Sequence, residues 1–355
     1  MMDNNKFDLL SASYEELCDF LTSAGEAPYR AKQLFSALHR GTPLAEISTL
    51  SKALRQKLSE QCFFELPSIE TRLESALDDT KKYLFRMSDG QTAESVFMKY
   101  HHGNSVCIST QAGCRQGCAF CASTKRGLVR NLTAGEMIGQ IIGIEKDIGE
   151  RVDGIVLMGT GEPLDNYDNV LKFLRIVTHP NGLNIGQRHI SLSTCGLVDR
   201  IADLEKEKLQ ITLSISLHAV YDETRNKIMP VNRKWNVDTL LRAALHYFRA
   251  TGRRISFEYT LISGVNDTPE DADKIARKFH AVFGSSMPLH INLIPVNSIA
   301  ETDFQASSEK RIFEFQKRLQ REHIVATVRR TLGADIHASC GQLRNRAERK
   351  STENA

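Results

Sequence analysis

A chain of 355 residues, 41% hydrophobic and 25% charged, is long enough for one large core with a smaller unit beside it and has the balance of an ordinary soluble globular protein. Its net charge of +3 is too small to demand a nucleic-acid partner; no run reaches the roughly 18 apolar residues of a membrane span, and the opening Met1-Met2-Asp3-Asn4-Asn5-Lys6 has no apolar signal core. Eight cysteines in so long a chain make no disulfide framework, so a reducing, cytoplasmic compartment is expected.

Up to about residue 75 the apolar residues recur at helical spacing, first over Tyr14 to Leu21 and then over Ala27 to Leu38, which predicts a small helical unit. From Lys82 the period changes to two. Tyr83 to Met87, a Ser88-Asp89-Gly90 turn, Glu94 to Tyr100, a His101-His102-Gly103-Asn104 turn and Ser105 to Ser109 fit two successive hairpins. Helices and strands then alternate. Helix is expected over Thr133–Ile148, Val170–Val177, Val237–Thr251 and Pro269–Phe283; strand is expected over Gly154–Met158, His189–Ser193, Leu209–Leu217, Ile255–Ile262 and Leu289–Ile294. Apolar strands fed by crossover helices predict an α/β fold, a parallel sheet curled into a full or partial barrel, with its chemistry at the strand C-termini.

Between the hairpins and the first of these helices lies Cys114-Arg115-Gln116-Gly117-Cys118-Ala119-Phe120-Cys121. The spacing CxxxCxxC supplies three thiolates, one fewer than a closed tetrahedral or cubane site needs. An iron of a 4Fe–4S cluster left without a protein ligand can chelate S-adenosylmethionine through its amino and carboxylate groups. Zinc sites usually show two separated Cys/His pairs, and no second pair is present, although zinc and incidental cysteines remain open on spacing alone.

The loops after the predicted strands carry further polar groups. Gly159-Thr160-Gly161-Glu162 lacks the Lys-Ser/Thr ending of a phosphate loop and the third glycine of a dinucleotide fingerprint. It reads either as a plain strand-to-helix turn or as a carboxylate with close backbone approach suited to the methionyl amino group. Ser193-Thr194-Cys195-Gly196, Leu217-His218-Ala219 and Pro295-Val296-Asn297 occupy comparable places. Cys340 has glycine beside it and reads as a loop thiol, yet a cysteine at an arbitrary position, such as Cys18, Cys62, Cys107 or Cys195, is most often a small buried hydrophobe. Glu94 could be an ordinary edge-strand carboxylate. Basic residues gather at Lys125, Arg126 and Arg130 and at Arg344, Arg346, Arg349 and Lys350, and such clusters are usually solvated faces.

Taken together, Tyr29-Arg30-Ala31-Lys32-Gln33, Cys107-Ile108-Ser109-Thr110-Gln111-Ala112-Gly113-Cys114 and Cys340-Gly341-Gln342-Leu343 resemble the RlmN/Cfr-type radical S-adenosylmethionine RNA methyltransferases, most closely the branch that methylates C2 of adenine. The likeness runs nearly end to end. Departures are Thr160, Cys195 and His337, where the family often has methionine, serine and an acidic residue.

The resemblance implies a partial (β/α) radical S-adenosylmethionine barrel with a small N-terminal helical accessory domain. Residues 1–80 would form that domain and help contact RNA, 81–99 a β-hairpin extension, 100–330 the radical core, and 331–355 a C-terminal segment with a methyl-carrying cysteine. It implies that Cys114, Cys118 and Cys121 hold a 4Fe–4S cluster and that Gly161, Glu162, Ser193, Leu217, His218, Ala219 and Asn297 line the S-adenosylmethionine site. Cys340 would accept a methyl group, a radical derived from a second S-adenosylmethionine would remove one of its hydrogens, and the carbon radical would add to adenine C2. Release would need Cys107 to attack the sulfur, leaving a disulfide bond, and Glu94 to take the C2 proton. Implied partners are 23S rRNA, tRNA and an electron donor such as flavodoxin or ferredoxin, with the protein a monomer. C8 methylation and a non-catalytic metal-containing RNA-binding protein are the alternatives.

Overall fold

In the computed structural model, which describes residues 6–284, 289–297 and 302–338, the chain opens with the expected helices. They are α1 (Tyr14–Ser23), α2 (Tyr29–Leu38) and α3 (Lys52–Gln61), bracketed by the short strands β1 (Phe7–Asp8) and β2 (Cys62–Phe63), which pair in parallel. A capping box starts α1: the Glu16 N–H donates to Ser13 Oγ at 3.2 Å, and the Ser13 N–H donates to the Glu16 carboxylate at 2.8 Å. Leu17 and Leu21 of α1 and Leu34, Phe35 and Leu38 of α2 are buried, with the Tyr14 ring edge-on to Phe35 at 5.5 Å.

The helical reading stops earlier than residue 75. Residues Ser68–Glu74 form β3, an edge strand of the main sheet, whose charged side chains alternate with Ile69, Thr71 and Leu73. Such a charge-rich sequence discourages edge-to-edge pairing and masks the strand's apolar signal. Next come β4 (Lys81–Arg86), β5 (Thr92–Tyr100) and β6 (Gly103–Cys107), each antiparallel to the one before, as the two predicted hairpins require. A separate antiparallel pair, β7 (Gln111–Gly113) and β8 (Leu128–Asn131), brackets the cysteine loop.

From there α4 (Ala134–Ile148) carries the chain back so that β9 (Gly154–Leu157) lies parallel to β6. The repeat continues through α5 (Tyr167–Val177), β10 (Ile190–Thr194), α6 (Val198–Lys206), β11 (Thr212–Ser216), α7 (Asp222–Ile228) and α8 (Val237–Thr251). It finishes with β12 (Ile255–Leu261), α9 (Pro269–Phe283), β13 (His290–Pro295), α10 (Glu309–Arg321) and β14 (Val325–Val328). The strand order is β14-β13-β12-β11-β10-β9-β6-β5-β4-β3, and every pairing from β6 to β14 is parallel. Among the described residues β14 and β3 do not pair, so the barrel is open, as a partial barrel should be.

The parallel strands are not apolar on both faces. Leu192, Leu213, Ile215, Phe257, Tyr259, Ile291 and Leu293 are buried in the main core, where Phe257 meets Phe279 of α9 at 4.7 Å between ring centroids. Truncating a ring so enclosed typically costs about 3–5 kcal/mol. The intervening residues Ser191, Ser193, Ser214, Ser216, Ser256, Glu258, Thr260 and Asn292 form a polar ladder on the opposite face. Ser191 and Ser214 hydroxyls meet at 3.1 Å, and the Asn292 amide donates to Glu258 Oε2 at 2.8 Å. That polar inner face lines the site.

Candidate active site

One cavity of about 300 Å³ opens on the inner face, at the lower end of the range for small-molecule sites. Cys114, Cys118 and Cys121 all line it. Their loop is fixed by backbone: the Cys114 N–H donates to the Gly127 carbonyl at 3.0 Å, the Cys121 N–H to the Cys118 carbonyl at 3.1 Å, and the Ala119 N–H to the Ile228 carbonyl at the end of α7 at 2.8 Å. Gly113 has a φ of 79°, and a Cβ there would stand 2.1 Å from the Gly127 oxygen, so this turn into the loop requires glycine. Cys114 and Cys118 are buried; burial pushes the Cys114 thiol up to about 12 and the Cys118 thiol higher, and the neighbouring thiols add to both shifts.

The loop after β9 approaches this group closely. A Cβ on Gly159 would lie 2.6 Å from the Ile108 carbonyl oxygen, and one on Gly161, whose φ is 113°, would lie 2.7 Å from the Gln111 Cβ. Glu162 is 4% exposed, and its carboxylate joins two loops: Oε1 accepts the Leu164 N–H at 3.0 Å and Oε2 the Cys195 N–H at 2.7 Å. Burial raises its pKa against the lowering effect of those donors. Thr160, Gly161, Glu162, Ser193, His218 and Asn297 all line the cavity. Leu217 and Ala219 are buried beside His218 and do not; their contribution is to backbone geometry, with the Leu217 and His218 N–H groups both donating to the Glu258 carbonyl at 3.0 and 3.3 Å.

His218 has a φ of 53° and packs edge-on against Phe120 of the cysteine loop at 4.9 Å. Its Nδ1 accepts the Thr260 N–H at 2.9 Å, which places the ring proton on Nε2. Burial, with the Arg225 charge nearby, lowers its pKa to about 3, so the ring is neutral.

Across the cavity stand groups from the antiparallel strands. Glu94, 5% exposed, and Cys107 both line it, and so does Ala338, two residues before Cys340. Cys340 itself, like Arg344, Arg346, Arg349 and Lys350, lies outside the described residues. Of the basic residues near the cysteines, Lys125 and Arg126 are exposed, whereas Arg130 is held by Glu136 at 2.7 Å and Asp89 at 2.6 Å.

Three residues not anticipated from the sequence belong to the site. Glu258 reaches the cavity from β12, where alternation with Phe257 and Tyr259 is its only signal. Lys82, 1% exposed, lies 3.8 Å from the Glu94 carboxylate. Arg225 is wholly buried beneath the site, its guanidinium donating to the carbonyls of Leu217, Ser216 and Cys195 and to the Asn232 side chain at 2.8–3.0 Å. Burial lowers its pKa to about 10, and no sequence pattern sets it apart from other helix arginines.

Known proteins match this arrangement. Residues 108–278 match the Radical SAM superfamily, and residues 7–64 match the ribosomal RNA large subunit methyltransferase N-terminal domain. A probable dual-specificity RNA methyltransferase RlmN of Clostridium perfringens (strain SM101 / Type A) is 50% identical over 339 residues, 95% of this chain and 96% of the relative. One from Alkaliphilus oremlandii is 49% identical over 342 residues, 96% of this chain and 98% of the relative. The chain belongs to the RlmN family of radical S-adenosylmethionine RNA methyltransferases. A crystal structure of a radical SAM methyltransferase from Sphaerobacter thermophilus covers 95% of this chain and 98% of its own with a TM-score of 0.89 at 38% identity, so the two share one fold along nearly the whole length. Family membership sets aside the zinc site and the non-catalytic RNA-binding module.

As a member of the family the enzyme uses a 4Fe–4S cluster and S-adenosylmethionine, and its residues fit them. Burial, and to a lesser degree the neighbouring thiols, disfavours ionisation of Cys114 and Cys118, and positive charge that replaces their protons, as ligated iron provides, would offset that.

Proposed function

We propose that this enzyme methylates C2 of adenine in 23S rRNA and in tRNA, at the peptidyl transferase centre and at the adenosine next to the anticodon, by way of a methylated Cys340. The observation that carries the reading is the meeting, around one cavity, of the cysteine loop, the glycine-rich loop, Glu94, Cys107 and the segment ending at Ala338. Cys340 follows Ala338 by two residues, so its Cα stands within about 7.6 Å of the Ala338 Cα. The relatives' naming as dual-specificity RNA methyltransferases supports both RNA classes.

In this reading Cys114, Cys118 and Cys121 hold the cluster, while Gly161, Glu162, Ser193, His218 and Asn297, with Leu217 and Ala219 behind them, hold S-adenosylmethionine. Together the bound cofactors supply a transferable methyl group and, after reduction by a donor such as flavodoxin or ferredoxin, a radical that can take hydrogen from a methyl thioether. The protein's own residues manage the carbon. Cys340 carries it as a thioether to C2, an electrophilic position that direct methyl transfer from a sulfonium does not serve. Glu94 would accept the C2 proton as the odd electron left by radical addition returns to the reducing system, and Cys107, as a thiolate, would attack the Cys340 sulfur, so that a sulfur–sulfur bond replaces the sulfur–carbon bond and the released carbon takes up a proton to complete the methyl group.

RNA would reach the cavity as an unstacked loop, with the N-terminal helical unit of α1 to α3, Lys125, Arg126 and the C-terminal arginines at its phosphates. No helix among the described residues is long and apolar enough to cross a membrane. The reading places the enzyme in the cytoplasm, acting as a monomer. The test is digestion of RNA treated with isotope-labelled S-adenosylmethionine, followed by chromatography against 2-methyladenosine and 8-methyladenosine. Label in the 2-methyl peak is expected. Label in the 8-methyl peak would transfer the reading to the C8 branch, and none in either would defeat it.

A further inference from the structure

We propose that Lys82 is a positioning residue that ties the Glu94 carboxylate to the chain segment leading to Cys340, so that the carbon carrier and the proton acceptor share one frame; this rests on the roles proposed above for Glu94 and Cys340. Lys82 lies on β4, an interior strand between β3 and β5, and is among the most completely buried large side chains of the protein. A lysine ammonium is not kept in such a place without partners. Its Nζ donates to the His337 carbonyl at 2.8 Å and stands 3.8 Å from Glu94 Oε2. One ammonium with three donor positions therefore serves both sides of the cavity.

Strand register makes the arrangement a property of the fold. Lys82 pairs with Val96, and Val96 with Cys107, so the three residues form one row across β4, β5 and β6; Glu94, two positions from Val96, shares that face. The segment that Lys82 grips is held by the same hairpin elsewhere. The Asp335 carboxylate accepts from the Ser75 hydroxyl at 2.6 Å and the Ala76 N–H at 2.7 Å, and the Gly333 N–H donates to the Asp78 carboxylate at 2.9 Å. Gly333, at a φ of 59°, lies so close to the hairpin that a Cβ would stand 2.9 Å from Thr80 Cγ2. Cys340 follows His337 by three residues, a reach of at most about 11 Å. Anchoring at His337 therefore bounds where the thiol can go, and the same ammonium bounds where Glu94 can point.

The experiment uses the full chain with its cluster reconstituted anaerobically, as wild type, Lys82→Gln, Glu94→Gln and the double variant. Three quantities are read: iron content, the rate of Cys340 methylation without RNA, and the single-turnover rate of methyladenosine formation. Because misplacement by about 1 Å can cost about 10²-fold, Lys82→Gln is expected to keep its iron while both rates fall, the methyladenosine rate by about that factor. In the double variant the loss should be far from the product of the two single losses, the signature of residues acting through one another. Wild-type rates in Lys82→Gln, multiplicative losses in the double variant, or loss of iron in parallel with activity would each overturn the proposal. Should Glu94→Gln alone turn over like wild type, the proposed base role fails; the Lys82 tether is then judged on Cys340 methylation, and an undiminished rate there overturns it too. Should Lys82→Gln not fold, Asp335→Ala loosens the same segment from an exposed position, with slower Cys340 methylation expected and an unchanged rate contradicting the tether.

Discussion

The two halves of the ten-stranded sheet build the site in different ways. On the parallel side, β9 to β13, the groups proposed to hold S-adenosylmethionine stand at or just beyond the strand C-termini, at Gly161-Glu162, Ser193, His218 and Asn297, with Glu258 alone reaching in from mid-strand. On the antiparallel side, Lys82, Glu94 and Cys107 come from the strands themselves, on residues whose side chains face the cavity. Loops at a barrel mouth can follow the shape of a cofactor. A strand face fixes side chains to a ladder, which suits groups that must hold one carboxylate and one sulfur in register. Under the proposed function the difference separates cofactor binding from carbon handling, so variants on the two sides should fail differently.

The largest effect belongs to the loop between the halves. Cys118→Ala removes one of the three thiols proposed to hold the cluster, so the anaerobically reconstituted variant should lack the iron–sulfur absorption band and produce no methylated adenine; full activity would break the whole comparison. Next come the antiparallel residues, which should leave the cluster untouched. Glu94→Gln is expected to slow product formation by about 10²- to 10⁴-fold, and Cys107→Ala should leave RNA covalently bound to the protein, visible as a nuclease-sensitive shift on a denaturing gel. Both variants should bind iron like wild type, and a shared loss of iron would erase the distinction between the halves.

A smaller effect is expected on the parallel side. At Gly161 the φ of 113° and the close approach to Gln111 make Gly161→Ala strained. A strain of about 1–3 kcal/mol should weaken S-adenosylmethionine binding by roughly ten- to a hundredfold in an equilibrium titration while Cys340 remains reactive. An unchanged affinity would show that this loop does not set the cofactor site.

The smallest effect is one of pH. His218 has a folded pKa of about 3 against an ordinary value of 6.5, and His39, buried near Phe35, about 4. In this window the unfolded chain binds more protons than the folded one, so stability falls as pH drops from about 6.5 towards 4. Denaturant unfolding across that range should show the slope, and His39→Gln should flatten it in part.

Much of this was legible in the sequence where spacing itself encodes geometry. CxxxCxxC fixes three thiols on a short loop, and the repeat of apolar strands with helices such as Val237–Thr251 and Pro269–Phe283 fixes the architecture with the observed bounds. Glu94 and Cys107 came through resemblance, since nothing in a single alternating strand says which face meets a cavity. Lys82 was missed because a lysine next to a turn reads as solvated; only the pairing of β4 between β3 and β5 buries it. Glu258 was missed because Ile255 to Leu261 reads as a run buried among helices, whereas the open barrel gives it a polar inner face. β3 was missed because its charges belong to an edge. In each case the missing information was which strands lie side by side, a long-range fact that local periodicity does not carry.

The central claim, that Cys340 carries the carbon to the base, is tested most directly by mass spectrometry of the tryptic peptide containing Cys340 after anaerobic incubation with methyl-labelled S-adenosylmethionine. The account predicts one labelled methyl group on the Cys340 sulfur, which disappears when RNA is added and reappears in adenine. An unlabelled Cys340 in enzyme that still methylates RNA would contradict it.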